Sequence, residues 1–379
     1  MKKRQLFCFL LIIPMIFKSI PCFGINNVEY RDHEFGQGHH SIYAERTTSK
    51  KTLGELVESF KRNSSNYQQI DINYELEALN YDIYLQQLDI LKDEDFIQRI
   101  ELELKKNNSK YYKENKEELI NDSKDIAELE FKKKCLSLLI NDKRIAYSNA
   151  TKKYLKSLLD IEIIKFNRGY TTKTTIDDLK TQIESISSEI NYYNNINEQI
   201  LADIKLETGI KDDFSIVFEY EHKKSSYDRN IVQAKLANRN NETTMIKNSI
   251  DAYEKYLIDL INLYGPEDTL VQQIELKIKS LNLDLEKSKN QIKVYAFQVV
   301  NQYNYIFDTL HAKGKALDVY NKKYLDLSKQ YKKGKIPLID VYKLSMEKEN
   351  IEFEYYKLYC DLFIYDEIIT KGILGQSFE

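Results

Sequence analysis

Apolar residues recur along this chain at alternating steps of three and four. That spacing puts them on one stripe of an α-helix packed against a neighbour. The pattern is clearest at Ile176, Leu179, Ile183, Ile186, Ile190 and Tyr193, breaks at Asn197, and resumes at Ile200 and Ile204. A second run passes through Val341, Leu344, Lys348, Ile351, Tyr355, Leu358, Leu362, Tyr365 and Ile369, with Lys348 as its polar interruption. Between them Ile274, Ile278, Leu281, Leu285, Ser288, Ile292, Tyr295, Val299, Gln302 and Ile306 keep the step. After a slip the stripe continues at Leu317, Tyr320, Tyr324, Leu327 and Tyr331. The spacing predicts one helix over about 268–332, roughly 95 Å long at about 1.5 Å per residue. Residues 124–166 predict another, with Leu136, Ile140, Tyr147, Ala150, Tyr154, Leu158 and Ile161 on one face. The short connections at 167–175 and 333–337 fold neighbouring helices back on each other. The expected fold class is therefore all-α: elongated antiparallel coiled-coil helical hairpins.

Composition supports that class. With 11 Gly and 4 Pro in 379 residues, helix breakers are few. A β-sandwich or barrel needs a turn signal about every 8–12 residues. A doubly wound enzyme needs glycine-rich turns after its strands. Thr52-Leu53-Gly54-Glu55 has the form of a capping box and marks a helix start there or slightly later. Residues 25–50 read as irregular and polar, and only 214–220 reads as a strand.

The N-terminus reads as a secretory signal. Lys2, Lys3 and Arg4 precede an apolar run over 6–17, and cleavage after Gly24 fits the small residues around it. Cys22 as a lipid-anchoring cysteine is the rival use, but Pro21 before it fits a lipobox poorly. The formal net charge is −3. Loss of 1–24 removes Lys2, Lys3, Arg4 and Lys18 and no acid, so the remainder is more acidic. Such a chain is not expected to bind nucleic acid. No later segment reaches about 18 consecutive apolar residues, so no transmembrane helix is expected.

Little in the chain suggests catalysis or a cofactor. Cys135 and Cys360 remain after cleavage, either as buried thiols or as a single bridge in an oxidising compartment. His33, His39 and His40 fall in the polar N-terminal segment, and His222 and His311 lack partners at metal spacing. Gly36-Gln37-Gly38 lacks the strand and third glycine of a dinucleotide loop. No catalytic residue, metal or cofactor is expected, and no enzyme activity.

The most informative feature is a repeat. Residues 154–209 and 324–375 each read as a helix end with aromatic-x-x-Gly, a polar turn, an aspartate at the next helix start, a long heptad helix and a closing glycine. Gly169 and Gly334 supply the left-handed conformation that ends a helix, and Gly209 and Gly375 close the copies. Thr175 is expected to cap the next helix, with Asp177 and Asp178 in its first turn, where the helix dipole favours anions. In the second copy Pro337 suits the first helical position and Asp340 takes the acidic one. The chain divides accordingly into 1–24 (signal peptide), 25–50 (irregular), 51–214 (first repeat) and 215–379 (second repeat). Asn197 and Lys348 admit two readings, an imperfect coiled-coil core or exposure to a water-filled space between helices.

Phe166-Asn167-Arg168-Gly169 with Ile176-Asp177-Asp178-Leu179, and Tyr331-Lys332-Lys333-Gly334 with Leu338-Ile339-Asp340-Val341, resemble the TolC-like outer-membrane efflux proteins. Thr52-Leu53-Gly54-Glu55-Leu56 fits as well, and the resemblance spans roughly 50–375. It implies two repeats per chain, a trimer forming a helical duct, and an efflux or secretion role with a periplasmic adaptor protein and a membrane pump. It places the hairpin tips at 166–178 and 331–341, where Asp177, Asp178, Tyr331 and Asp340 would gate the duct or meet the adaptor. The other reading of those aspartates is ordinary helix-start charge. One departure stands out. The family inserts a strand hairpin in each repeat to build a membrane barrel, with strands of about 9–11 residues. Here the corresponding places, 104–124 and 262–271, are a charged stretch and a Gly265-Pro266 turn. The alternative is therefore an extracellular coiled-coil structural or adhesion protein without a conduit.

Overall fold

A computed structural model describes residues 49–91, 96–221 and 223–373. The expected signal peptide, His33, His39, His40, His222 and Gly375 lie outside the described residues. The elements run β1 (Ser49–Thr52), α1 (Leu53–Asn63), α2 (Ser65–Ile90), α3 (Phe96–Glu114), α4 (Lys116–Asn167), α5 (Lys173–Thr208), β2 (Phe214–Val217), α6 (Arg229–Asn238), α7 (Asn241–Tyr264), α8 (Thr269–Lys332) and α9 (Leu338–Lys371).

The order repeats. A short strand, a short helix, an outgoing helix, a return path and a final long helix appear twice. The matched helices have similar lengths: 11 and 10 residues for α1 and α6, 26 and 24 for α2 and α7, 36 and 34 for α5 and α9. The return path is two helices in the first copy, α3 and α4, broken at Asn115, and one helix of 64 residues in the second, α8. The matched strands β1 and β2 pair with each other in parallel, from Ser49 opposite Phe214 to Thr52 opposite Val217.

A belt of apolar side chains holds both copies together. Leu56 and Phe60 of α1, Leu129, Phe131 and Leu136 of α4, Val232 and Leu236 of α6, Val299, Tyr303 and Ile306 of α8, and Leu362 and Ile368 of α9 share one buried cluster. Phe60 stacks on Phe131 with ring centroids 4.3 Å apart. Cys135 and Cys360 belong to this belt as free, fully buried thiols, so the bridge is not formed. An ionic network rims the belt. Arg239 donates to Asp122 and Asp125 of α4 and to the Lys371 carbonyl, while Lys371 pairs with Asp125 at 2.8 Å. Burial disfavours the charge on Asp125, but Lys371 and Arg239 outweigh it and hold its carboxyl below its ordinary range.

From the belt, helices extend as two rows. In one, α5 packs on α4, α4 on α9 and α9 on α8. In the other, α2 packs on α3, α3 on α7 and α7 on α8, and a second cluster around Ile100, Tyr256, Leu260, Val271 and Ile274 binds its outer end. The segments where the family resemblance would place barrel strands hold no strand: 104–124 lies in α3 and α4, and 262–271 runs from the end of α7 through a turn into α8.

Some local expectations change. Strand β1 is not foreshadowed in the sequence, because SKKT is polar and its partner is far along the chain. Gln302 is exposed, and the buried stripe of α8 shifts to Ala296, Val299, Tyr303, Ile306 and Leu310. The glycine that ends α9 is Gly372 (φ 68°), not Gly375.

A Cβ at Gly372 would lie 2.9 Å from Lys235 Cβ, in a backbone conformation that side chains disfavour. Gly372→Ala is expected to destabilise the chain by about 2 kcal/mol, half from the backbone and half from contact with α6. A urea titration followed by helical circular dichroism measures this, and an unchanged midpoint would contradict it.

Candidate functional site: two matched hairpin tips

Each long hairpin turns on one glycine. In the first, Gly169 (φ 77°) donates to the Phe166 carbonyl at 2.9 Å and Tyr170 N–H to the Lys165 carbonyl at 2.9 Å. In the second, Gly334 (φ 67°) donates to the Tyr331 carbonyl at 2.8 Å and Lys335 N–H to the Gln330 carbonyl at 3.0 Å. This is the Schellman pair of bonds in both copies, satisfying carbonyls that a helix end leaves free. A Cβ at either glycine would meet nothing within 4 Å, so the requirement is conformational.

The outgoing helices differ. Thr172, not Thr175, caps α5: its hydroxyl accepts from Thr175 N–H at 3.3 Å. Helix α5 thus starts at Lys173, and Asp177 and Asp178 stand in its second turn rather than its first. Pro337 is the N-cap of α9 rather than its first helical residue, and Asp340 does occupy the first turn. Asp177, Asp178, Asp340 and Tyr331 are exposed, and no side-chain hydrogen bond or ion pair joins them to one another within the chain. Around them sit Arg168, Lys173, Lys332, Lys333 and Lys335, with Phe166 and Tyr170 exposed at 41% and 79%. Both tips lie at the same end of the row, because α4 and α9 pack side by side with Lys132 2.8 Å from Glu367 and Lys143 2.6 Å from Glu352.

The polar seam residues act between helices. Asn197 of α5 accepts from Asn141 Nδ2 and donates to Asp142 Oδ1, both at 2.9 Å, which clamps α5 to α4. Lys348 of α9 pairs with Glu349 at 3.1 Å and Glu352 at 3.0 Å, and Glu352 reaches Lys143 of α4. Burial opposes charge on both Lys348 and Glu352, but the pairing wins: Lys348 is raised and Glu352 lowered from their ordinary values. The sequence pattern flags Asn197 and Lys348 but not Asn141, Asp142, Lys143 or Glu352. A polar residue in an apolar seam signals that the facing helix must supply a partner, without saying which residue. Among the described residues no group of His, Cys, Asp and Glu is placed to hold a metal, and no helix is long and apolar enough to cross a membrane.

The fold is similar to that of solved bacterial outer-membrane proteins. A membrane protein from Pseudomonas aeruginosa superposes with a TM-score of 0.50 over 85% of this chain and 90% of its own, at 11% identity. The outer-membrane channel OprN gives 0.50 over 84% and 89%, at 9% identity. At such identities the likeness is one of fold. No protein-family model matches the sequence, and no curated protein matches it.

Gly169→Ala and Gly334→Ala are each expected to lower stability by about 1 kcal/mol through the left-handed backbone alone. The measure is thermal melting of each single variant and of the double. Losses that fail to match at the two tips would contradict the equivalence. Glu352→Gln is expected to cost about 1–2 kcal/mol at neutral pH by unpairing Lys143 and Lys348. Because the folded Glu352 value lies below the ordinary 4.5, that contribution is full above pH 4.5 and disappears as pH falls through the folded value. Parallel urea curves for the two proteins from neutral to acid pH check this, and a gap that widened toward acid would refute it.

Proposed function

We propose that this chain is one wall segment of a self-associated helical duct in an efflux or secretion system of a cell envelope. The observation that carries the reading is the open row. Helices α5, α4, α9 and α8 lie side by side with matched glycine tips at one end, and α5 and α8 each leave a side without a helical neighbour in the row. A surface that joins one edge of a chain to the opposite edge of the next builds a ring when the rotation closes. The fold shared with outer-membrane channels supports this, and the family resemblance suggests three copies. The basic, aromatic-bearing tips are then where an adaptor protein docks, with a membrane pump beyond it. Asp177, Asp178, Tyr331 and Asp340 are the gating or adaptor-contact candidates. Asn197 and Lys348, both half-buried, fall on the water-filled side of the wall. The role is transport, and no catalytic residue or cofactor is assigned.

A second reading is a coiled-coil spacer without a conduit. The observation in its favour is that the two hairpins at the end opposite the tips are helical rather than stranded.

Sedimentation velocity of the purified full chain, joined to electron microscopy of the assembled species, separates the two. The duct reading expects a discrete oligomer with a stain-filled centre. A monomer at every concentration, or a solid bundle, would overturn it.

A further inference from the structure

Helix α2 is apolar on two opposite faces. One face, with Tyr74, Ala78, Tyr81 and Leu88, is buried or half-buried on the neighbouring helices of its own chain. The other carries Ile72, Leu76, Leu79 and Ile83 at steps of four, three and four, and these are 47–56% exposed. A surface helix needs one apolar stripe, and a second at heptad spacing is built for another helix. The opposite end of the same row repeats the pattern. Helix α8 buries Val271, Ile274 and Leu285 against its own chain, while Leu276 and Leu283 on its far side are 67% and 66% exposed.

The two stripes match in position. Ile83 and Leu276 each lie about two turns from the outer ends of α2 and α8, and Leu76 and Leu283 each lie about four turns in. Direction fits too. Successive helices of the row alternate, with α2 running outward, α3 back, α7 outward and α8 back. Placing the α2 of another copy beside α8 continues that alternation. Charge fits as well. Helix α2 has Asp71, Glu75, Glu77, Asp82 and Asp89 and no Lys or Arg, whereas the same stretch of α8 exposes Lys279, Lys287, Lys289 and Lys293 against Glu275 and Glu286, of which Glu286 pairs with Lys289. Asp71, Glu75 and Asp82 also pair with lysines of α3 and α4 in their own chain, leaving the cationic side of α8 the less compensated.

We propose that the α2 stripe docks on the α8 stripe of a second copy of this chain, so that the α2–α3 and α7–α8 hairpins close into a helical crown at the end of the assembly opposite the tips. The crown stands where a channel of this fold would otherwise place strands. It rests on the duct reading, because it requires copies joined edge to edge.

The test is disulfide trapping in the full chain with Cys8 and Cys22 changed to Ser, and with the fully buried Cys135 and Cys360 retained. Leu76→Cys and Leu283→Cys are placed in separate chains and in one chain, and helicity of each is verified by circular dichroism. On mild oxidation, mixed single variants are expected to give a 76–283 dimer, with no comparable 76–76 product. The double variant is expected to give a ladder that stops at the size of the native oligomer. An oligomer that forms without the 76–283 bond overturns the crown and leaves the duct standing, whereas a monomer at all concentrations overturns both. If the thiol introduced by Leu76→Cys fails to cross-link and becomes shielded from aqueous maleimide when phosphatidylglycerol vesicles are added, the stripe faces lipid instead, which also overturns the crown.

Discussion

The structure depends on the packing of one very long helix. Helix α8 holds a stripe of buried side chains from Val271 to Leu310 and meets α7, α6 and α9 in turn. A helix of 64 residues cannot be stabilised by its own hydrogen bonds alone, since helices in water owe most of their stability to an apolar face that finds a partner. Each neighbour of α8 covers a different stretch of it. The belt at Val299, Tyr303 and Ile306 fixes its position, and the two rows inherit their direction from it. Because α8 belongs to both rows, the end with the tips and the end with the α2–α3 hairpin are mechanically one piece.

Much of this is legible in the sequence, and the limits have physical causes. The stripes of α5 and α9 follow the heptad positions, and the turns sit at Gly169 and Gly334, because a packed helix and a left-handed turn each demand a residue type that few alternatives satisfy. Sequence alone puts the α5 cap three residues late, at Thr175, because Thr-Thr-Lys-Thr-Thr offers several equivalent hydroxyls and only the hydrogen bond chooses among them. That shift carries Asp177 and Asp178 out of the first turn. Gly372 and Gly375 both follow the α9 stripe, and again local geometry decides. Strand β1 leaves no signal, since its pairing with β2 is set by the repeat symmetry and not by SKKT itself. The ion-pair partners of Lys348 are hidden because interhelical register is a property of two segments together.

The polar members of the seams do a different job from the apolar ones. An apolar stripe tolerates sliding by a heptad, since one leucine replaces another. Asn197 bonded to Asn141 and Asp142, and Glu352 held between Lys143 and Lys348, permit one alignment each. Slipping either pair by a turn would leave half-buried polar groups without partners, at about 1–3 kcal/mol each. In α4 the clamps at Asn141–Asp142 and at Lys143 are adjacent, so α5 and α9 are registered against the same level of one helix. The tips of both hairpins lie at one end partly for this reason.

The choice of helix over strand at the far end changes what assembly requires. A strand hairpin exposes unpaired backbone groups along its edges and must close with neighbours to satisfy them. The α2–α3 and α7–α8 hairpins satisfy their backbone internally and stand without neighbours. In the proposed crown, closure would rest on side chains alone, on exposed residues such as Leu76 and Leu283, each contributing at most about 1.5–3 kcal/mol when fully covered. Such a contact would be modest and reversible, and would strengthen only as several stripes close together around a ring. The belt is covered within the chain and does not share that dependence. Stability of the single chain and the proposed closure of its outer end would therefore be separable properties, set by opposite faces of the same helices.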